Sequence, residues 1–276
     1  MPVSPEHVAN ECFMNAAVMS SMAGVHLKQG GPFGASIVRN GVLISCAHNT
    51  FSDRDPTCHG EMNALRLAMR CLGTSDLSDC VIYSSFDPCP MCWGATLKSG
   101  IKKVYMGLDR YEAAKGGVDY LSFYDALLNP KNNDMINVNP SATDADNSVI
   151  KLLNNNSSEH CIIVDKDYNV IADSDSPSIG RFCDPVDTPM VKAIRMACES
   201  IGSPYLNGCK VFTRTEPDVE SYAACLWAFA DSLFYCKDAP EGTRARYQHD
   251  QYKLEESRRD LQDSELLKEH PQLKAC

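Results

Sequence analysis

The chemistry this chain offers is concentrated in four residues, His59, Glu61, Cys89 and Cys92, which stand as His59-Gly60-Glu61 and Pro88-Cys89-Pro90-Met91-Cys92. Cysteines three positions apart in the first turn of a helix project side by side, so both sulfurs reach one ion. The free N–H groups and partial positive charge of a helix N-terminus favour thiolate over thiol there. An imidazole from a neighbouring helix start then completes three ligands. Three protein ligands, with a fourth position left for water, is the arrangement of a catalytic zinc site. Glu61, two residues beyond the histidine, lies near such an ion but is poorly placed to bind beside His59. A proton carrier belongs there.

The elements that must position these residues are readable from periodicity and turn signals. Glu6 to Gln29 is predicted as an amphipathic helix, with Val8, Cys12, Phe13, Ala16, Met19 and Ala23 at three- and four-residue spacing, stopped by Gly30-Gly31-Pro32. Ala35 to Val38 and Val42 to Ser45 flank Asn40-Gly41, a hairpin signal. Glu61 to Leu72 is helical by pattern and ends at Gly73; Cys80 to Ser85 is a strand, Cys89 to Leu97 a helix and Lys103 to Met106 a strand. This alternation predicts an α/β sandwich with a partly parallel sheet. Asn129 to His160 is rich in Asn, Asp, Ser and Pro, with one strand-like run at Met135 to Val138, and reads as a connection. From about Ala239 the chain is dense in charge and ends in a predicted solvated helix, Lys253 to Lys268.

The chain also repeats itself. At an offset of 129 residues, Asp55-Pro56 falls on Asp184-Pro185, Ala64, Arg66 and Ala68 fall on Ala193, Arg195 and Ala197, and Gly73 falls on Gly202. Leu77, Cys80, Pro88, Ala95 and Leu97 fall on Leu206, Cys209, Pro217, Ala224 and Leu226, making 11 identities in the 43 ungapped pairs from Asp55 to Leu97. Chance at average composition gives roughly 3. Upstream, Ile37-Val38 answers Ile163-Val164. Two tandem copies of one fold are expected: a catalytic domain over 1–142 and a second over 143–276. In the second copy His59 becomes Thr188, Glu61 becomes Met190, Cys89 becomes Asp218 and Cys92 becomes Ser221, so it keeps neither ligands nor proton carrier.

His-x-Glu followed by Pro-Cys-x-x-Cys is the signature of zinc nucleobase deaminases, and the first copy resembles the cytidine-deaminase-like superfamily. Gly30-Gly31-Pro32-Phe33-Gly34-Ala35, His48-Asn49 and Asp55-Pro56-Thr57 are similar to the guanine deaminase branch, over roughly Glu6 to Leu128. The resemblance implies a three-layer α/β/α sandwich with a mixed sheet, here in tandem. It implies Zn2+ held by His59, Cys89 and Cys92, with Glu61 as general acid/base. It assigns the base pocket to Asn49 and Phe33, with Cys58 and Asp119 as further substrate-binding candidates. The wall far from the metal is expected on Asp119 to Tyr124 or on the second copy. Two departures are visible. Guanine deaminases mostly carry Ala where this chain has Gly60, a residue shared with fungal-type cytosine deaminases. They also carry a paired Asp-Asp where Gly117-Val118-Asp119-Tyr120 matches the first acid alone.

The implied reaction is hydrolytic deamination of a free nucleobase, guanine to xanthine and ammonia. Cytosine deamination and a transfer-RNA adenosine deaminase subunit are the alternatives. The chain has 276 residues and a net charge of −10. A protein that tracks a phosphate backbone normally needs a basic face, so the charge favours a small substrate over nucleic acid. A thioredoxin-like redox pair would leave His59 and Glu61 without a role, and a structural zinc site needs a fourth protein ligand that nothing nearby supplies. No apolar run reaches the roughly 20 residues that cross a bilayer, and Met1 to His7 has no secretory pattern. Fourteen cysteines without such a signal suit a reducing compartment, cytoplasm or nucleus. The second copy is expected to stand in for one subunit of a dimer within the chain; association of two such chains stays open.

Overall fold

The computed structural model describes residues 10–51, 54–118, 120–129, 133–154, 160–175 and 184–238. The first half runs α1 (Glu11–His26), β1 (Gly34–Arg39), β2 (Val42–His48), α2 (Gly60–Leu72), β3 (Cys80–Phe86), α3 (Pro90–Lys98) and β4 (Val104–Leu108). Two short helices, α4 (Arg110–Lys115) and α5 (Leu121–Leu128), and β5 (Asn137–Val138) lead into the second half. That half runs α6 (Asp144–Asn154), β6 (Cys161–Val164), β7 (Val170–Asp173), α7 (Pro189–Ile201), β8 (Lys210–Thr215), α8 (Val219–Trp227) and β9 (Ser232–Lys237).

The hairpin β1–β2 closes as its sequence requires. Asn40 (φ 51°) and Gly41 (φ 74°) both adopt left-handed backbone, the requirement of the tightest two-residue turn. The first sheet has the order β2-β1-β3-β4, with β1 antiparallel to β2 and β3, and β4 parallel to β3. The second has the order β5-β9-β8-β6-β7 with the same relations among the matching strands. The correspondence reaches single residues. Helices α2 and α7 start at Gly60 and Pro189, 129 positions apart, and stop at Gly73 and Gly202, both left-handed. A register shift falls between Ile37 and Val38 in one hairpin and between Ile163 and Val164 in the other.

Alternation along the strands divides each sheet into two faces. Val38, Val81 and Tyr83 face Met14 of α1, whereas Ile37 and Ile82 face Met62 and Leu65 of α2. In the second half Ile162, Val164 and Phe212 pack on Val149 and Leu153 of α6, and Ile163 and Val211 join the α7–α8 side. Helices α2 and α3 then meet α7 and α8, so one continuous core fills the middle of the molecule. A fully buried Leu, Ile or Met contributes about 1.5–3 kcal/mol, and separating the halves would wet many of them.

The contact between halves is reciprocal in the repeated residues. Arg66 Nε lies 3.1 Å from Asp184 Oδ2 and Arg195 Nε 3.2 Å from Asp55 Oδ2, while Arg195 Nη2 also reaches Asp184 at 2.8 Å. Both guanidiniums donate to Thr57 Oγ1, at 2.8 and 2.9 Å. Residue i of one copy thus meets residue j of the other and the reverse, as across a two-fold axis.

Two sequence expectations change. The segment Asn129 to His160 is not only a connection, because it contains α6, the counterpart of α1. Its larger apolar residues, Val149, Ile150, Leu152 and Leu153, are confined to its C-terminal half, and its Asp-rich first turn reads as loop although acids there suit the helix dipole. The first helix begins at Glu11, capped by Asn10 Oδ1 accepting from Cys12 N. The expected helix Lys253 to Lys268 lies outside the described residues. Among the described residues, no helix is long and apolar enough to cross a membrane.

Candidate active site

His59 is the N-cap of α2 and Cys89 the N-cap of α3, with Pro90 at the first helical position. Neither side chain caps its own helix. A side-chain cap is worth about 0.5–2 kcal/mol, so both helices forgo stability to keep an imidazole and a thiol available. The first N–H of α2 is satisfied from elsewhere: Gly60 N donates to Asn49 Oδ1 at 2.6 Å.

The three donors converge. Cys89 Sγ lies 3.5 Å from His59 Nδ1 and 3.6 Å from Cys92 Sγ, and all three lie within 4.8 Å of one another. Zn–S bonds of about 2.3 Å and Zn–N bonds of about 2.0–2.1 Å at tetrahedral angles give edges of about 3.8 Å (S–S) and about 3.6 Å (S–N). The donor set fits zinc in kind and in spacing. Burial would keep the Cys89 thiol protonated, but the hydrogen bond from Cys92 and the adjacent His59 overcome it and pull its pKa well below the usual thiol value.

Glu61 is buried beside this cluster. Its Oε1 accepts from Ser84 Oγ at 2.7 Å and its Oε2 from Cys92 Sγ at 3.4 Å. Burial first, then the charge of Cys89, pushes the Glu61 carboxyl up, against the opposing pull of His59 and Ser84. A carboxyl whose hold on a proton is strengthened in this way is suited to taking and returning one.

These groups line one small pocket. Phe33, Asn49, His59, Glu61 and Cys89 are in its wall. Asn49 Oδ1 is committed to Gly60, so its amide nitrogen is what remains for a ligand. Phe33 rests 4.9 Å from Phe86, centroid to centroid. Cys58 is not in the wall; its Sγ faces Arg66 Nη1 at 3.9 Å. Asp119 lies outside the described residues; Tyr120 is in the wall. Asp87, Tyr120 and Trp227 complete the lining. Asp87 holds Arg110 Nε at 2.7 Å and Trp93 Nε1 at 3.1 Å, and Tyr120 Oη donates to the Asp87 carbonyl at 2.8 Å. Trp227 comes from α8, in the second half. Its only sequence signal is a departure within the repeat, Leu97-Lys98 against Leu226-Trp227.

Gly60 has a steric reason. A Cβ there would sit 2.9 Å from Gly34 Cα and 2.9 Å from the Phe33 carbonyl oxygen, both backbone. Gly60→Ala is expected to displace the Phe33–Gly34 backbone, raising KM several-fold with little change in kcat and costing about 1–3 kcal/mol. Steady-state kinetics and thermal melting check this; an unchanged KM and Tm would refute it.

In the second half the matching positions do structural work instead. Thr188, at the place of His59, caps α7 by accepting from Val191 N. Asp218, at the place of Cys89, caps α8 by accepting from Ser221 N, and Ser221 Oγ bonds Thr188 Oγ1 at 2.7 Å. The helix ends that forgo caps around His59 and Cys89 have them here, and no soft donor remains among the three.

The chain matches the cytidine and deoxycytidylate deaminase zinc-binding region over residues 8–108. It is 38% identical over 122 residues to the guanine deaminase of Bacillus subtilis (strain 168), spanning 44% of this chain and 78% of that relative. It is 40% identical over 107 residues to the tRNA-specific adenosine deaminase of Aquifex aeolicus (strain VF5), spanning 38% of this chain and 68% of that relative. Among solved structures, the X-ray structure of the Bacillus subtilis guanine deaminase is similar at 33% identity and a TM-score of 0.45, covering 55% of this chain and 97% of that one.

Proposed function

The chain belongs to the cytidine-deaminase-like zinc deaminases, in the guanine deaminase branch, and on that premise we propose that its first half hydrolyses guanine to xanthine and ammonia. The observation that carries this reading is Glu61, buried in the wall of a small pocket beside three converging zinc donors. The identity to a guanine deaminase across 78% of its length supports the choice of base.

His59, Cys89 and Cys92 would hold the metal. Zinc at such a site supplies the Lewis acidity that makes water a nucleophile near neutral pH. Glu61 takes the proton from the attacking water and delivers it to the ring nitrogen beside the amino-bearing carbon. It then carries the second proton to the departing amine, so water and base leave as ammonia and the oxo product. Ser84 Oγ holds Oε1 at 2.7 Å and so fixes the carboxylate with Oε2 toward Cys92 and the metal donors, the side on which the proton is exchanged. Phe33 offers a ring face to the flat base and the Asn49 amide nitrogen a donor to an acceptor on its edge. Tyr120 and Trp227 close the pocket against water.

In the same reading the catalytic domain is 1–142, apart from β5, which adds to the second sheet beside β9, and 143–276 is a deaminase-like domain that has lost the chemistry and occupies the place of a second subunit. The reciprocal Arg66–Asp184 and Arg195–Asp55 pairs support it.

Ammonia release tests the proposal, with zinc-replete protein offered guanine, cytosine, guanosine and adenine separately. Turnover of guanine is expected. Turnover of cytosine alone would keep the chemistry and move the branch. Silence on all four with zinc bound would overturn the free-base reading and make transfer RNA the next substrate tried, against the net charge of −10.

A further inference from the structure

A zinc-ligating imidazole ordinarily donates its second ring N–H to a carboxylate, a carbonyl or a water, which fixes the ring's orientation. His59 departs from this. Its Nδ1 faces Cys89, while its Nε2 is buried without a hydrogen-bond partner among the described residues. The neighbours of the ring are aromatic: Trp227 with centroids 4.5 Å apart at 80°, and Phe51 at 5.2 Å and 76°. Trp227 is itself seated on Phe123 of the first half, stacked at 4.2 Å and 24°. Its indole nitrogen is likewise buried and unpartnered among the described residues. Edge-to-face contact between two such rings is an attractive geometry, and an N–H directed at a π-face is a weak hydrogen bond.

From this we infer that Trp227, carried by the half without ligands, is the positioning residue for the metal-ligating His59. An aromatic face does here what a hydrogen-bond acceptor does in most zinc sites. The inference rests on the zinc reading of the site and adds what the second half contributes to it. Trp227 is the last residue of α8, the helix that matches α3, and it stands where the first half has Lys98. The second copy therefore gave up the chemistry of its own site while placing one ring in the other. Because Trp227 also lines the pocket, a shift of its ring alters both the metal and the base side of the cavity.

Bulk alone is the competing explanation, and it is separable from a ring. In the full chain, Trp227→Phe keeps a face for His59; Trp227→Leu and Trp227→Met keep volume without one. Zinc affinity is read by competition with a chromophoric chelator, and ligand geometry by the visible bands of the cobalt-substituted protein. The Leu and Met variants are expected to bind zinc roughly 10–100-fold more weakly, with displaced cobalt bands and a raised KM. The Phe variant is expected to stay within about three-fold of the wild-type zinc affinity. Melting of the zinc-free proteins separates this from a folding defect. Leu and Met variants that hold zinc as tightly as wild type would overturn the inference. So would a Phe variant that loses it as they do. Failure of the underlying zinc reading looks different: the wild-type chain itself would take up no zinc.

Discussion

Glu61→Gln is expected to lower kcat for guanine by roughly 10²–10⁴-fold, the range general acid–base catalysis commonly supplies, while leaving zinc uptake intact. The amide preserves the shape of the side chain and can still accept from Ser84 Oγ, the bond that places it at 2.7 Å. What it cannot do is take a proton from water and return it to the ring and to the departing amine. Zinc uptake separates this role from that of a ligand, because the three donors are His59, Cys89 and Cys92 and do not include Glu61. Ammonia release and metal content are measured on the same preparation. Activity within ten-fold of wild type with full zinc would remove Glu61 as the proton carrier. Loss of zinc together with activity would make it part of the metal site.

The proposed ligands and this carboxylate could be singled out in the sequence because their spacing is local. His59 and Glu61 share one helix start and Cys89 and Cys92 share another, and each start follows a readable strand or turn. Asn40-Gly41 was legible for a similar reason, since both residues must take positive φ and few others do so readily. Helix α6 was hidden because its larger apolar residues, Val149 to Leu153, are confined to its C-terminal half and its first turn is rich in Asp. Trp227 was hidden for a different reason. It lies 168 positions after His59 and reaches it only because α3 and α8 pack together across the middle of the molecule. Cys58 shows the converse: this substrate-binding candidate stands next to His59 in sequence, yet its thiol faces Arg66.

What holds Trp227 in place leads to the largest expected change in stability. Asp184→Asn is expected to destabilise the chain by about 3–5 kcal/mol, the usual result of removing one partner from a buried ion pair. Asp184 serves two guanidiniums, Arg66 at 3.1 Å and Arg195 at 2.8 Å, with its own side chain only 1% exposed. Arg195 retains Asp55 and Asp187, whereas Arg66 loses its hydrogen-bonded carboxylate and keeps Thr57 Oγ1, the Thr57 carbonyl and Cys58 Sγ, with the charge of Asp55 nearby. At about 2–4 °C per kcal/mol for a chain of this size, Tm should fall by about 6–20 °C. The pH dependence has a definite sign. Burial alone would raise the Asp184 pKa, and the charges of Arg66 and Arg195 outweigh it and hold the carboxyl below its ordinary value. A group whose pKa is depressed by folding binds its proton more readily in the unfolded chain. Its stabilisation is therefore present above the unfolded value of about 3.9 and is lost as the pH falls through the lower folded value. Wild type and Asp184→Asn should differ fully at pH 7 and converge in acid. Urea unfolding at pH 7, 5 and 3 measures both; a difference under 1 kcal/mol at pH 7, or one that does not shrink in acid, would refute the assignment. The same variant connects stability to catalysis, because the Arg–Asp pairs set the packing of the two halves and that packing seats Trp227 on His59. A loosened interface should therefore weaken zinc binding even in the fraction of molecules that remain folded.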